Sequence, residues 1–371
     1  MRYLFYFGHP AHFHLFRHTV AALKAEGHTV DLFCKTKDLL EDLLQASGWA
    51  YTNVLPQGKG AGRLAMATDL LARNGRMLRH CLRHRPDLMA GTSPEVAQIG
   101  RLLGIPSLVL NEDDVDIVPL FAKAAYPFCT AVVAPEQTDL GRWAGKGLTY
   151  PGYQKLAYLH PNRFTPERSR VEHLFAGRAQ YFVLRFVSLT AHHDVGIGGF
   201  TPAVARRVVD LLEPHGAVWI SAEGDLGGDL QRYRLALDPL DIHHALHFAT
   251  LFAGDSQSMT VESAMLGTPS VRFSDFAGRI SVLEELEHTY GLTVGIPASE
   301  PGRLAETLQR LLARDDLRAA YAARRDTMLA DKIDLSAFLI WLMSTFPDSL
   351  RTVRADPATA SHFRTPHRVA A

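Results

Sequence analysis

The chain of 371 residues has little cysteine, only three in all. Cys34, Cys81 and Cys129 are scattered, odd in number and without C-x-x-C spacing, which excludes a disulfide framework and a cysteine zinc site and suits a reducing cytoplasm. Charge of one sign is not in excess either. Lys+Arg and Asp+Glu both number 39 and the formal net charge is zero, so nucleic acid is not expected as a partner. No apolar run approaches the roughly 20 residues that a spanning helix needs. The N-terminus, Met1 to Phe7, is apolar but stops at Gly8-His9-Pro10, too short for a signal peptide, and reads as a buried strand. With 47% hydrophobic and 21% charged residues, wholesale disorder is excluded as well. What the sequence does have in number is histidine, 18 of them, several clustered.

Length alone predicts two domains, at roughly 100–200 residues each. The first half alternates strand and helix: strand Tyr3–Gly8, helix Leu15–Glu26 with Gly27 as its stop, strand Thr29–Cys34, helix Lys37–Ala46. Further strands are expected at Pro86–Gly91, Ser107–Asn111 and Ala131–Pro135, with a helix over Glu95–Leu103. Around Tyr150–Pro166 the period is lost in a stretch rich in Pro, Gly and aromatics, read as the connection between domains. The alternation then restarts, with strands Tyr181–Phe186, Ala217–Ser221, Leu251–Gly254 and Ser270–Phe273. Helices are expected at Pro202–Leu212, Met259–Leu266, Arg303–Ala313, Leu317–Leu329 and Leu335–Phe346. Strands separated by helices imply parallel sheets with right-handed crossovers. The expected architecture is therefore α/β, with two Rossmann-like domains facing a cleft: residues 1–160, then 161–350 with a helix returning to the first domain. Residues 351–371 read as a loose tail.

The strongest local signal runs from Ala253-Gly254-Asp255-Ser256-Gln257-Ser258-Met259-Thr260 through Glu262 to Gly267-Thr268-Pro269. It is a strand, a tight hydroxyl-rich turn and a helix. Unpaired N–H groups and the positive dipole end at a helix start can hold a phosphate. Ser256, Ser258 and Thr260 add hydroxyls there, beside Met259, and Glu262 is placed to accept from sugar hydroxyls. The plainer alternative is that Ser256 or Ser258 merely caps the helix.

This strand, D-S-x-x-x-x-x-E turn and A-x-x-L-G-x-P ending resemble the nucleotide-sugar half of GT-B glycosyltransferases and of UDP-N-acetylglucosamine 2-epimerases. The opening Phe7-Gly8-His9-Pro10-Ala11-His12-Phe13-His14-Leu15-Phe16, followed by Gly27-His28-Thr29-Val30, looks like the start of a GT-B-like family, domain of unknown function 354. Pro151-Gly152-Tyr153-Gln154-Lys155-Leu156 and Arg163-Phe164-Thr165-Pro166 are similar to that family's linker. The resemblance spans roughly residues 1–340. One departure stands out: the epimerases carry D-S-G-G at the turn, whereas this chain has Asp255-Ser256-Gln257-Ser258.

The resemblance implies a glycosyltransferase acting on a nucleoside-diphosphate sugar, UDP-linked, with a saccharide or lipid-linked acceptor, in surface polysaccharide or glycoconjugate synthesis. A 2-epimerase-like enzyme and a silent nucleotide-sugar-binding protein are the alternatives. It implies no cofactor. His12 and His14 match the family's histidines and stand as candidate bases. Spacing H-x-x-H-x-H over His9, His12 and His14 could also bring imidazoles to a metal, but no acidic or cysteine ligand lies alongside and none is expected. Glu112, after strand Ser107–Leu110, matches an epimerase glutamate that handles the sugar, and stands as a catalytic candidate either in that part or as base or acceptor-binding group in a transferase. For Asp113 and Asp114 a plain helix-cap role is at least as good a reading. Arg185 and His192 match the place where basic residues meet the diphosphate, although Arg185 could instead form an inter-domain salt bridge. Finally, Arg63–Arg85 is a basic amphipathic stretch that either rests on an anionic membrane or is a solvated face over a core stripe.

Overall fold

The computed structural model describes residues 1–36, 39–55, 63–187, 198–222 and 224–364, with residues 63–71 described for backbone only. The chain divides into two compact units, Met1–Arg163 joined by the segment from Asp331, and Phe164–Ala330.

The first unit holds strands β1 (Arg2–Phe7), β2 (Thr29–Cys34), β3 (Thr52–Asn53), β4 (Leu88–Gly91), β5 (Ser107–Leu110), β6 (Ala131–Pro135) and β7 (Gly147–Tyr150). They form one parallel sheet in the order β3-β2-β1-β4-β5-β6-β7. A central parallel strand is covered on both faces, which is why β1 reads as an unbroken apolar run. The helix after it, Pro10–Ala25, starts with proline behind the cap residue His9, whose Nδ1 accepts from Ala11 N at 3.2 Å. It ends at Gly27, whose φ of 82° lets Gly27 N and His28 N reach back to the carbonyls of Lys24 and Leu23. Strand order reverses direction between β1 and β4, so a crevice opens at the carboxyl ends of these two strands.

The second unit is a five-stranded parallel sheet of β8 (Tyr181–Phe186), β9 (Ala217–Ala222), β10 (Leu251–Gly254), β11 (Ser270–Phe273) and β12 (Thr293–Ile296) in the order β12-β11-β10-β8-β9. Its reversal falls between β8 and β10, where Gly254 lies in register with Arg185. A Cβ at Gly254 would come within 2.7 Å of Arg185 O, so only glycine lets the two strand ends approach this closely.

Several sequence expectations are corrected. The units divide between Arg163 and Phe164, inside the stretch read as a connection, but most of that stretch is core: residues 151–160 are all buried, Leu156–Leu159 is helical, and Tyr150, Tyr153 and Tyr158 are fully covered. Proline and glycine hid this, because a packed irregular segment has no period to detect. The segment read as a loose tail is folded through residue 364. Helix Asp348–Ala355 buries Leu350 and Val353, and Pro357–Phe363 packs beside β7 with the Phe363 ring on Phe338 and Trp341. Helix Leu335–Ser344 packs on helix Pro10–Ala25, within the first unit.

Helix Arg63–His84 spans the basic stretch. Met77 and Cys81 are buried, Arg73 pairs with Glu95 at 2.8 Å, Arg76 donates to Val54 O at 2.6 Å and His80 lies 3.0 Å from Asp31. These three basic groups are engaged inside the unit. No described helix is long and apolar enough to cross a membrane.

Candidate functional site

In each sheet, residues singled out from the sequence gather at the reversal point. In the second unit, Asp255 follows β10 and its Oδ1 accepts Val187 N at 2.8 Å, tying the end of β8 to the end of β10. Burial raises the Asp255 carboxyl above its usual range, against the pull of the backbone N–H groups that it accepts. Arg185, on β8, donates from Nη1 to Ser221 Oγ on β9 at 2.9 Å, so the partner found for it is a neighbouring strand of its own unit.

Helix Gln257–Met265 begins at Ser256, whose Oγ accepts Met259 N at 3.3 Å. The capping alternative thus describes Ser256. It does not exhaust the turn, because Gln257 N and Ser258 N, the first two in the helix, have no intrahelical acceptor, and a hydroxyl that accepts can still donate. Ser256, Ser258 and Met259 are all half-buried at this turn. Thr260 is a correction: it is 0% exposed and its Oγ1 donates to Ser256 O at 2.8 Å, so its hydroxyl is spent inside the helix. Glu262 lies a turn further in, buried, with Oε1 3.4 Å from Nε2 of His243.

Gln257, which stands where the epimerases have glycine, is held on both sides. Its Nε2 donates to Ser274 Oγ at 3.3 Å and its Oε1 accepts Arg272 Nη1 at 3.1 Å. Arg272 is 0% exposed and pairs with Glu284 at 3.3 Å. Reading the sequence missed this Arg272–Gln257 brace; an arginine in the middle of the apolar strand Ser270–Phe273 was the available signal. His192 lies outside the described residues.

In the first unit, His12 sits where β1 and β4 diverge. Gly8 N donates to its Nδ1 at 3.0 Å, which assigns the proton to Nε2, and Thr92 Oγ1 lies 2.7 Å from the ring nitrogens. Burial, reinforced by His9, Lys35 and Lys155, pushes the His12 imidazolium down to about 3. In this geometry the lone pair expected to take a proton is occupied. His14, two positions on, faces away and is buried, with its ring 5.3 Å from Tyr158 and 5.4 Å from Phe13. The two histidines are not one group, and His9 serves as a helix cap. Among the described residues no cluster of three or more His, Cys, Asp or Glu is placed to hold a metal ion.

Glu112 follows β5 as expected, but its carboxylate is held by the Lys155 ammonium and by Gln154 N at 3.2 Å. Asp113 beside it makes no side-chain hydrogen bond or ion pair with the described residues. Burial and the neighbouring Glu112 charge push its carboxyl up to about 6, against the pull of Lys155. Asp114 instead accepts Asp139 N at 2.7 Å.

No family model matches the chain and no curated protein matches it in sequence, so the likeness to the family of unknown function rests on the quoted motifs. Solved structures do match. S. aureus MnaA, in a co-structure with UDP, superposes with a TM-score of 0.66 at 12% identity, over 86% of this chain and 90% of that one. The UDP-GlcNAc 2-epimerase of Neisseria meningitidis, bound to UDP-GlcNAc, gives 0.64 at 12%, over 95% of this chain and 100% of that one. The spinosyn rhamnosyltransferase SpnG, complexed with spinosyn aglycone, gives 0.60 at 15%, over 92% and 100%. With two parallel sheets that match these glycosyltransferases and epimerases over nearly their whole length, the chain has the GT-B fold.

Proposed function

We propose that the protein is a glycosyltransferase using a nucleoside-diphosphate sugar, uridine-linked, with a saccharide or lipid-linked acceptor. The observation that carries this is the turn Gly254–Met259: free helix N–H groups, the Ser256 and Ser258 hydroxyls and Arg185 in register meet at the reversal point of one sheet. On this reading Arg185 and the helix start hold the diphosphate, and Glu262 takes ribose hydroxyls. The carboxyl edge of the first sheet, with His12 and Glu112, serves the acceptor.

The acceptor oxygen forms its bond to the anomeric carbon as the bond to the diphosphate breaks. The electron pair of that bond leaves with UDP, and a base takes the acceptor's proton. We assign the proton to Asp113 rather than to His12, His14 or Glu112. An unbonded carboxylate poised near neutrality suits the task better than an imidazole with an occupied Nδ1, a histidine in the core or a carboxylate already paired with lysine.

Incubation with UDP-N-acetylglucosamine and other UDP-sugars tests the reading. UDP release that an acceptor accelerates, and that Asp113→Asn abolishes, is expected. Conversion to the 2-epimer without acceptor would make the protein an epimerase, and binding with neither reaction a silent module.

A further inference from the structure

The second unit carries a cavity of about 470 Å³ at the edge of its sheet opposite the nucleotide turn. The turns that precede strands β8, β10 and β11, through Gln180, Thr250 and Pro269, form part of its wall. It therefore lies a strand's length from Ser256, about 13–20 Å for strands of this size. Four arginines line it, Arg168, Arg314, Arg318 and Arg325, against one carboxylate, Asp315. Phe175 and Phe248 supply apolar walls.

We propose that this cavity is a binding site for a phosphoryl anion, a diphosphate or a phosphate ester, gripped by Arg318 with Arg168 and Arg325. The plainer view is that these arginines make surface ion pairs, and three of them do. Arg168 pairs with Glu172 at 2.8 Å, Arg314 with Asp316 at 2.9 Å and Arg325 with Asp326 at 2.8 Å. The Arg168 and Arg314 pairs are exposed, and such pairs are weak and rearrange readily. Arg318 is different. Among the described residues no carboxylate lies within 4 Å of it, and its guanidinium reaches only His247 O at 3.4 Å and the Phe248 ring at 5.9 Å. Burial, together with Arg168 and Arg325, lowers its pKa, and the same cluster helps hold the His247 imidazolium down at about 4. Arg318 is an exposed cation at a cavity crowded with like charges and without a carboxylate of its own, which favours an anion there, and guanidinium groups match phosphate oxygens in geometry.

Calorimetric titration of the full chain with inorganic pyrophosphate tests the site. Saturable binding is expected, weakened about tenfold or more in Arg318→Gln, as for the loss of one charge-assisted hydrogen bond. Arg318→Lys should keep most of the affinity, and Arg185→Ala should leave this binding standing while impairing the nucleotide turn. Should Arg318→Gln fail to fold, Arg325→Gln reads the same cavity. Arg318-dependent binding to phosphatidylglycerol vesicles without a response to pyrophosphate would support the phosphoryl chemistry with a lipid headgroup as its source. Absence of both responses, equal pyrophosphate affinity in Arg318→Gln, or loss of all binding in Arg185→Ala would overturn the proposal. None of these readouts depends on glycosyl transfer, so the two readings fail separately.

Discussion

Gly8 N occupies Nδ1 of His12, and burial beside His9, Lys35 and Lys155 lowers the pKa of that ring to about 3. An unfolded histidine titrates near 6.5. Between these values the unfolded chain takes up a proton that the native chain refuses. His12 thus contributes stability that is complete above about pH 6.5 and is lost as pH falls toward 3, at up to about 1.4 kcal/mol per pH unit. His18 and His247, lowered to about 4 mainly by burial, add to the same slope. Urea denaturation between pH 7.5 and 5 should show stability falling, and His12→Asn should flatten the fall; equal slopes in both proteins would remove His12 from the account. Glu262 offers a second residue-level check. If it binds ribose, Glu262→Gln weakens UDP binding by about 1–3 kcal/mol, the cost of a charged partner left unmade. Unchanged affinity, measured by calorimetry, would remove the ribose role and leave Glu262 a structural one, beside His243. At this scale the sequence was least legible. Motif spacing located His12, Glu112 and Ser256, but roles depend on hydrogen bonds from Gly8, Lys155 and Met259, and for Glu112 and Lys155 the partners are 43 residues apart.

Elements were far more legible, for reasons of period and punctuation. Strands β2, β6, β8, β10 and β11 stand where the apolar runs predict them, because a doubly covered parallel strand is a short, continuous hydrophobic segment. The misses are segments without that signature. Thr52–Asn53 is two residues long, and Thr293–Ile296 contains a glycine. Residues 151–160 are packed through tyrosines rather than through a repeating stripe. The helix start at Ser256 was visible as a cap, and its worth can be measured. Ser256→Ala should cost about 0.5–2 kcal/mol of stability and Ser256→Gly only a few tenths. If the turn also seats a diphosphate, Ser256→Ala and Ser258→Ala should each weaken UDP binding, the second without the capping loss in stability. A Ser256→Ala protein with unaltered stability would contradict the 3.3 Å bond to Met259 N.

For the molecule as a whole, two α/β units follow from length and alternation, but the path of the chain's end does not. The segment from Asp331 lies in the first unit, bound by contacts that composition cannot announce. Tyr3 Oη donates to Met343 O at 2.9 Å, Ser336 Oγ to Ala157 O at 2.6 Å, and Arg163 pairs with Asp334 at 2.8 Å. Phe338, Leu339, Leu342 and Met343 are all buried there. At about 1.5–3 kcal/mol for each large apolar side chain, removing these four forfeits roughly 6–12 kcal/mol, as much as a whole domain's stability of about 5–15 kcal/mol. The second unit has no such debt, since Phe164–Ala330 is one continuous stretch with its own sheet and core. A fragment of residues 164–330 should therefore unfold cooperatively and, if the turn at Ser256 seats a diphosphate, melt at a higher temperature with UDP than without, whereas residues 1–163 alone should be insoluble or lack near-ultraviolet dichroism. Adding residues 331–364 through a flexible linker should restore the first unit. A fragment 1–163 that unfolds cooperatively without the added segment would show that the returning helices merely decorate a core already complete.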